Sequence, residues 1–303
     1  MYQNGEAVVP MLPGPLSEMA LSLRPNELHA GISLVCRWNT YTKQLTIGDF
    51  KETVFKNNMS FTYETIYKTK EFPLEILQDI ASFLQGKVTT DSHEWVAECM
   101  ILYNKEVAKK LVEKKTGLLR THKPAKAEVL QFFTALHPDL KALAYESARY
   151  EPSEENKIHA SLGSVPYCHA SSPIRRYADL VNQRCLKAIL QGKDMLPSSN
   201  ELAEHLNIIQ KRMRHYERSL FFLEQINMSP TGTVEGLVLE STETKTKVYI
   251  PSWKHTVKVE PGSYSVGQKI SLEYYADLQK PKWDQRMVIR VCESELITTH
   301  MPS

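Results

Sequence analysis

The spacing of apolar residues divides the chain into a mainly helical part and a strand-rich part that follows it. Apolar residues recur at helical spacing in four segments, which are 73–84, 94–115, 174–189 and 201–225. From Thr231 onward the pattern changes to short alternating runs, and turns rich in Gly, Pro and Asp separate these runs. The composition changes at Met228-Ser229-Pro230, so we expect a domain boundary there.

The alternating runs predict where the sheets lie. Residues 31–50 contain two β-rich runs around a turn at residues 39–43, which predicts a hairpin. After Thr231 about five short strands fit into roughly 65 residues, the size and pattern of an OB-type barrel. We therefore expect an α+β fold with domains at 1–227 and 228–295 and a flexible tail at 296–303.

Composition limits the broad class of the protein. The chain is 42% hydrophobic and 24% charged, as in ordinary globular proteins, and no run is apolar for the length of a membrane span. The five cysteines form no C-x-x-C pair, and the N-terminus has no signal-peptide pattern, so we expect a reducing, cytoplasmic location by default, with a nuclear or viral context left open. A net charge of +2 is too small to identify a nucleic-acid partner by itself.

An unusual charge pattern lies in the segment SSPIRRY, residues 171–177. A serine at the N-cap and Pro173 at the first helical position predict a helix start here. Arg175 and Arg176 would then lie in the first turn, where the helix dipole favours acidic residues. Free backbone N–H groups and two guanidinium groups would make a phosphate site. Alternatively, both arginines pair with Asp179 on a solvated face, and the local pattern leaves the two interpretations open.

Two further positions are candidates for polar chemistry. Glu98 has apolar neighbours at helical spacing and needs a hydrogen-bonding partner, and these neighbours are Trp95, Ile101 and Leu102. A short basic run, Arg120, His122 and Lys123, follows the predicted helix at 94–115. Such a run is either a phosphate contact or solvated loop charge.

The central segment resembles a known family signature. The pattern H-x-x-L-G-x-x-x-Y-x-H-x-x-S-P-I-R-R-Y-x-D-L, from His159 to Leu180, resembles the signature of the RNB family, the processive 3′-to-5′ exoribonucleases of the ribonuclease II and ribonuclease R type. Further segments of this chain resemble the family in the same order, at 11–25, 98–104 and 118–124. At His29 the chain departs from the family, which usually has an arginine there.

The resemblance implies degradation of single-stranded RNA from its 3′ end to nucleoside monophosphates, by a partial RNB domain followed by an OB-fold RNA-binding domain. It implies that Arg175 stabilises charge on the scissile phosphate. Six other residues would contact substrate, namely Arg176, Glu98, Tyr63, Arg120, Tyr177 and Glu217. Glu98 would face ribose hydroxyls, so DNA is not an expected partner. For Tyr63 the alternative is simple packing at a helix start.

The metal chemistry of the family has no visible counterpart in this sequence. The resemblance implies Mg²⁺ held by a D-x-D-D-type loop upstream of the M-L-P segment, but the chain contains neither D-x-D nor D-D. Three hypotheses follow: an exoribonuclease, a catalytically inactive RNA-binding pseudoenzyme, and a fragment that needs another chain for the aspartates. The expected partner is single-stranded RNA, no membrane contact is expected, and protein partners are not predictable from the sequence.

Overall fold

The computed structural model describes residues 2–4, 7–69, 73–154, 157–163, 165–195, 197–282 and 285–292, so the predicted tail at 296–303 lies outside the described residues. The helices are α1 (Leu74–Gln85), α2 (Ser92–Glu113), α3 (Ala127–Leu136), α4 (Tyr177–Gln191) and α5 (Asn200–Met228). The strands are β1 (Tyr2–Asn4), β2 (Ala7–Val9), β3 (Leu28–Asn39), β4 (Gln44–Lys56), β5 (Leu118–Thr121), β6 (Arg149–Pro152), β7 (Thr231–Ser241), β8 (Thr246–Ile250), β9 (His255–Val259), β10 (Lys269–Ala276) and β11 (Met287–Val291).

The chain divides into two compact units. The first contains Met1–Pro124 and Ser147–Asn207, and the second contains Ala125–Glu146 and Ile208–Ser303. Helix α5 begins in the first unit and ends in the second. The domain boundary proposed from composition at residue 228 stays a prediction. Within the described residues, no helix combines the length and apolar character needed to cross a membrane.

The predicted hairpin in the first unit is confirmed and is longer than expected. Strands β3 and β4 pair antiparallel from Leu28↔Lys56 to Asn39↔Gln44. Asn39 shapes the turn, because its side-chain oxygen accepts hydrogen bonds from the backbone N–H groups of Tyr41 and Thr42 at 2.9 and 3.0 Å. A register shift between Leu34 and Cys36 marks a bulge in β3.

Helices α1 and α2 form as predicted, and the predicted apolar face of α2 is buried in its second half only. Gly86 ends α1 with φ +76, and the Asp91 side chain caps α2 by accepting from the His93 N–H group. The spacing of apolar residues predicts a core stripe of Val96, Cys99, Met100, Tyr103, Val107 and Leu111. Val107 and Leu111 are buried, Met100 and Tyr103 are partly buried, and Val96 and Cys99 are exposed. The other buried side chains of α2 are Ser92, Trp95, Asn104 and Ala108.

The core of the first unit explains which side chains of α2 are buried. Leu111 packs in one cluster with side chains from several elements, which are Phe50, Val107, Ala108, Leu119, Cys168, Ala170, Cys185 and Leu186. This cluster joins the hairpin, α2, β5 and α4. Because neighbours on three sides decide which face of α2 is buried, periodicity in α2 alone could not specify it.

The predicted helix start at residues 171–177 is wrong by about one turn. Helix α4 begins at Tyr177, and Arg176 is its N-cap residue, with extended backbone angles φ −127 and ψ 121. Residues 173–175 form a separate turn before the helix. The two arginines therefore precede the helix and do not lie in its first turn, while acidic Asp179 does lie there, as the helix dipole favours.

All five strands predicted after Thr231 are confirmed in the second unit. They form one antiparallel sheet in the order β11-β10-β7-β8-β9. Val257 and Val259 of β9 share a buried cluster with Val291 of β11, at the opposite end of that order. The sheet is therefore curled into a half-barrel that is consistent with an OB-type fold, and the predicted α+β fold class is confirmed. A second cluster packs Leu140 against Leu237, Leu239 and Tyr249.

Candidate functional site

A buried carboxylate organises the turn that precedes α4. Asp179 is fully buried, and its Oδ1 accepts hydrogen bonds from the Ser172 N–H group at 2.7 Å and from Arg176 Nη2 at 2.8 Å. The carbonyl oxygen of Ser172 accepts from the backbone N–H groups of Arg175 and Arg176 at 3.2 and 3.1 Å. Asp179 thus fixes both ends of the turn that carries the two arginines.

The two arginines have different surroundings. Arg176 is half-buried and forms an ion pair with the buried Asp179. The interpretation in which both arginines pair with Asp179 on a solvated face therefore holds for the pairing of Arg176, but the pair does not lie on a solvated face. Arg176 Nε and Asp179 Oδ2 are buried atoms with no hydrogen-bond partner among the described residues. Arg175 is exposed and, in the described part of the chain, has no ion-pair or hydrogen-bond partner for its side chain. Arg175 is therefore the cation available to an external anion.

Arg120 is neither in a loop nor solvated. It is on β5, is 7% exposed, and its guanidinium carbon lies 4.6 Å from the ring centroid of Tyr150. Tyr150 is the residue opposite Arg120 on β6. A cation that is held over an aromatic face keeps its charge while it is shielded from water. This arrangement contradicts the interpretation of Arg120 as solvated loop charge.

A chain of ring contacts connects Arg120 to the motif residues. Five rings follow one another at centroid distances of 5.0 to 5.9 Å, in the order His122, His159, Tyr167, His169 and Tyr150. The Tyr150 hydroxyl is 2.8 Å from His169 Nδ1, and the Ser161 hydroxyl is 3.1 Å from His122 Nδ1 and 3.2 Å from His159 Nδ1. Hydrogen bonds reinforce the two ends of this chain of rings.

The pKa values of these histidines show which nearby charges act on them. Burial lowers the pKa of His169 to about 3, and the nearby charges of Arg176, Arg120 and Arg175 lower it further. Burial likewise lowers the pKa of His159 to about 4, with contributions from His122 and Arg120. The charges of three predicted site residues, Arg120, Arg175 and Arg176, therefore act on one buried, neutral imidazole.

These depressed pKa values predict a loss of stability in mild acid. Both values, about 3 for His169 and about 4 for His159, lie below the ordinary value of 6.5, so the unfolded chain binds more protons between these limits. The free energy of unfolding should therefore fall as the pH drops below 6.5, by at most about 1.4 kcal/mol per pH unit for the more buried His169. Urea unfolding at about pH 7 and about pH 5 measures this slope. A His169→Gln variant should show a shallower slope, and parallel profiles would contradict the expectation.

Of the remaining predicted residues, Tyr177 is adjacent to Arg176, Tyr63 and Glu98 lie on other elements of the first unit, and Glu217 lies in the second unit. The exposed ring of Tyr63 stacks on His93 at 3.7 Å and an interplanar angle of 18°. Glu98 is half-buried on α2 and, within the described residues, its side chain has no hydrogen bond or ion pair. Tyr177 is exposed at the start of α4, and Glu217 is exposed on the part of α5 that belongs to the second unit.

Sequence reasoning missed several residues that build the site. Asp179 binds Arg176, and Tyr150 contacts both Arg120 and His169, but none of Asp179, His169 and Tyr150 was singled out as a site residue. Asp179 and His169 are letters of the motif itself, and this was the available signal. Tyr150 precedes the motif and is identified only by the pairing of β5 with β6.

The described residues do not fit a Mg²⁺ site. They contain no group of three His, Cys, Asp or Glu side chains that could hold a metal ion. Mg²⁺ prefers several carboxylate oxygens, and Oδ1 of Asp179, the carboxylate next to the arginines, already accepts from Ser172 and Arg176, which leaves only its buried Oδ2. We therefore derive no chemical step through a metal ion from these residues.

Comparison with known proteins confirms the resemblance. Residues 68–192 match the family model described as RNB domain. A ribonuclease R from Chlamydia trachomatis is 22% identical over 366 aligned positions, which cover 90% of this chain and 51% of that protein. The chain thus spans about half the length of this curated relative.

Solved structures with the same fold include a ribonuclease and a pseudonuclease. The apo form of Mycoplasma genitalium RNase R superposes with a TM-score of 0.74 at 16% identity, and the match covers 96% of this chain and 62% of that one. The same bacterial protein has been solved in complex with single-stranded and with double-stranded RNA. Yeast Ssd1, a pseudonuclease, matches with a TM-score of 0.63 at 17% identity, over 89% of this chain and 44% of that one.

Proposed function

We propose that the protein binds single-stranded RNA through Arg175 and the nearby Arg176 and Arg120, because residues 68–192 match the RNB domain family model. The observation that carries this proposal is the exposed, unpaired Arg175 at the end of a turn that Asp179 fixes. A guanidinium group presents several N–H donors in one plane and matches the oxygens of a phosphate. Preorganisation of the turn means that little conformational entropy is lost when the phosphate binds.

The neighbouring residues take distinct roles in this proposal. Arg175 contacts the phosphate at the reaction centre, while Arg176 adds positive charge there and stays bound to Asp179. Arg120 raises the positive potential from its place over Tyr150. Tyr177, adjacent to the arginines at the start of α4, contacts the same segment of RNA.

Two residues on the α2 side of the unit would contact sugars and bases. The exposed Tyr63 ring, stacked on His93, offers an aromatic surface to a base near the 3′ end. Glu98 is a half-buried carboxylate without a partner in the described part of the chain, and it would accept hydrogen bonds from ribose hydroxyls. RNA, and not DNA, supplies a 2′-hydroxyl at that position.

The second unit contributes a separate RNA-binding surface. Its OB-type barrel carries the half-exposed Tyr275, with the Arg290 guanidinium 4.7 Å from the ring centroid. An aromatic ring beside a cation suits a stacked base and its phosphate. Glu217 of α5 would act in this unit by accepting a hydrogen bond from RNA.

The proposal includes the activity of the RNB family. That activity is cleavage of RNA from its 3′ end with release of nucleoside monophosphates. It would require Mg²⁺ ligands beyond the donors of the described residues. The alternative is a protein that binds RNA without hydrolysing it. Because the fold is similar to that of a yeast pseudonuclease, this alternative needs a direct test. Incubation with 5′-labelled single-stranded RNA and Mg²⁺ separates the two, because shortening of the RNA would exclude the non-hydrolytic alternative.

The binding proposal predicts a specific loss in Arg175→Ala. We expect affinity for a single-stranded RNA oligomer to fall about tenfold, and the slope of log K against log salt to decrease in magnitude by about one, because one phosphate contact is removed. Fluorescence anisotropy at several salt concentrations measures both quantities. Arg184→Ala, which removes another exposed arginine from α4, is the matched control and should change affinity less than twofold or so. Equal losses in both variants would contradict a specific role for Arg175.

A further inference from the structure

Both the imidazole and the backbone of His169 are held by hydrogen bonds. Its Nδ1 is 2.8 Å from the hydroxyl of Tyr150, and its backbone oxygen accepts from Asn182 Nδ2 at 2.9 Å. The His169 ring also packs edge-on with the rings of Tyr150 and Tyr167, at 5.7 and 5.9 Å between centroids. An imidazole constrained in this way has one orientation, as a binding residue requires.

The hydrogen bond with Tyr150 determines where the ring proton lies. A phenol has one O–H group, and burial raises the pKa of Tyr150, so the hydroxyl stays protonated. If His169 Nδ1 donated to Tyr150, the phenolic hydrogen would have no acceptor among the described residues. Buried O–H donors are almost always paired, so the Tyr150 hydroxyl donates to Nδ1. The proton of the neutral imidazole is then on Nε2.

The Nε2–H group of His169 is available to a ligand. It has no hydrogen-bond partner among the described residues. The Arg120 guanidinium lies 4.6 Å from the ring centroid of Tyr150, the residue that is hydrogen-bonded to His169. Burial lowers the pKa of His169 to about 3, and the charges of Arg176, Arg120 and Arg175 also lower it, so the ring is neutral at physiological pH. A neutral donor can share a phosphate with neighbouring arginines without the like-charge repulsion that a further cation would add.

From this geometry we propose that His169 is an additional phosphate ligand, which donates from Nε2–H to an oxygen of the RNA phosphate that Arg175 binds. This inference rests on the proposed RNA-binding function and extends it to a residue with no net charge. Tyr150 is then a positioning residue, because its hydroxyl selects the imidazole tautomer that donates toward the ligand.

Two amide substitutions test whether Nε2 of His169 is the atom that donates to the phosphate. In His169→Gln the side-chain amide nitrogen can reach the place of Nε2, and in His169→Asn it replaces Nδ1. We expect His169→Gln to bind a single-stranded RNA oligomer within about threefold of wild type, and His169→Asn to bind about tenfold more weakly, as His169→Ala does. Far-UV circular dichroism and thermal unfolding show whether each variant is folded.

A direct measurement of the tautomer keeps the test independent of folding. In ¹⁵N-labelled wild-type protein, histidine-selective NMR should show the His169 proton on Nε2, and RNA should shift that resonance. A proton on Nδ1, or equal RNA affinity of the Asn and Gln variants and wild type, would overturn the role of His169. If Arg175→Ala still weakens binding in that case, the proposed function stands without it. If wild-type protein fails to bind RNA, both proposals are wrong.

Discussion

Replacing Asp179 with alanine is expected to lower the free energy of unfolding by about 3–5 kcal/mol, because it breaks a buried ion pair. The carboxylate is fully buried and accepts hydrogen bonds from Ser172 and Arg176. Without it, the Ser172 N–H group loses its acceptor and the half-buried Arg176 keeps an uncompensated charge. Urea unfolding at neutral pH measures the change, and a loss below about 0.5 kcal/mol would contradict this account of the turn.

A conservative variant and a double-mutant cycle separate charge from shape. Asp179→Asn keeps an oxygen acceptor for Ser172 and for Arg176 but removes the negative charge, so we expect a smaller loss of about 1–2 kcal/mol. In an Arg176→Met background the buried cation is absent, and Asp179→Ala should then cost less. A coupling energy of at least about 1 kcal/mol would assign the effect to the ion pair. If the stability losses of the two single variants are additive, the effect of Asp179→Ala comes from the turn backbone alone.

The elements of this fold were largely predictable, because their signals are local. The Asp91 cap, the Gly86 stop and the five short strands after Thr231 follow from residue type and spacing. The start of α4 was not predictable in this way, since the serine and proline before it are equally good turn residues. The decision depends on Asp179, a residue inside the helix that folds back to the Ser172 N–H group.

In the candidate site, too, some features have local causes that the sequence shows, and others depend on tertiary structure. Arg175 and Arg176 stand out in the sequence because they are adjacent and flanked by a motif. Their different states, one exposed and one bound to Asp179, depend on burial that no spacing rule predicts. Arg120 appeared to belong to a loop because a basic run was its only local signal. Its place over Tyr150 follows from the pairing of β5 with β6, two strands that are distant in sequence.

Two asparagines use the same chemistry on these paired strands, but they differ in burial. Asn182 Oδ1 accepts from the Leu118 N–H group at 2.8 Å, and its Nδ2 donates to Leu118 O at 2.9 Å. Asn207 makes the same two hydrogen bonds with the backbone of Tyr150: its Oδ1 accepts from the Tyr150 N–H group and its Nδ2 donates to Tyr150 O, both at 2.8 Å. Asn182 is fully buried, and Asn207 is half-buried. The pair therefore isolates the effect of burial on a bidentate side-chain contact.

The surroundings of Asn182 leave no space for rearrangement. Its Nδ2 also donates to the backbone oxygen of His169 at 2.9 Å, which connects β5 to the segment that carries the site. Gly117 has φ +74, and a Cβ at this position would lie 2.8 Å from Asn182 Oδ1. Only glycine lets the backbone approach Asn182 this closely. Water cannot easily replace the lost contacts in such a confined place.

Asn182→Ala is therefore expected to cost about 3 kcal/mol or more, since it leaves buried backbone groups of Leu118 and His169 unpaired. Asn207→Ala removes the same two hydrogen bonds where water can substitute, and we expect about 1 kcal/mol. Urea unfolding of both variants gives the comparison, and equal losses would show that burial does not decide the effect. Because Asn182 also fixes His169, its loss should weaken RNA binding, whereas Asn207→Ala acts on the Tyr150 backbone and should weaken binding less.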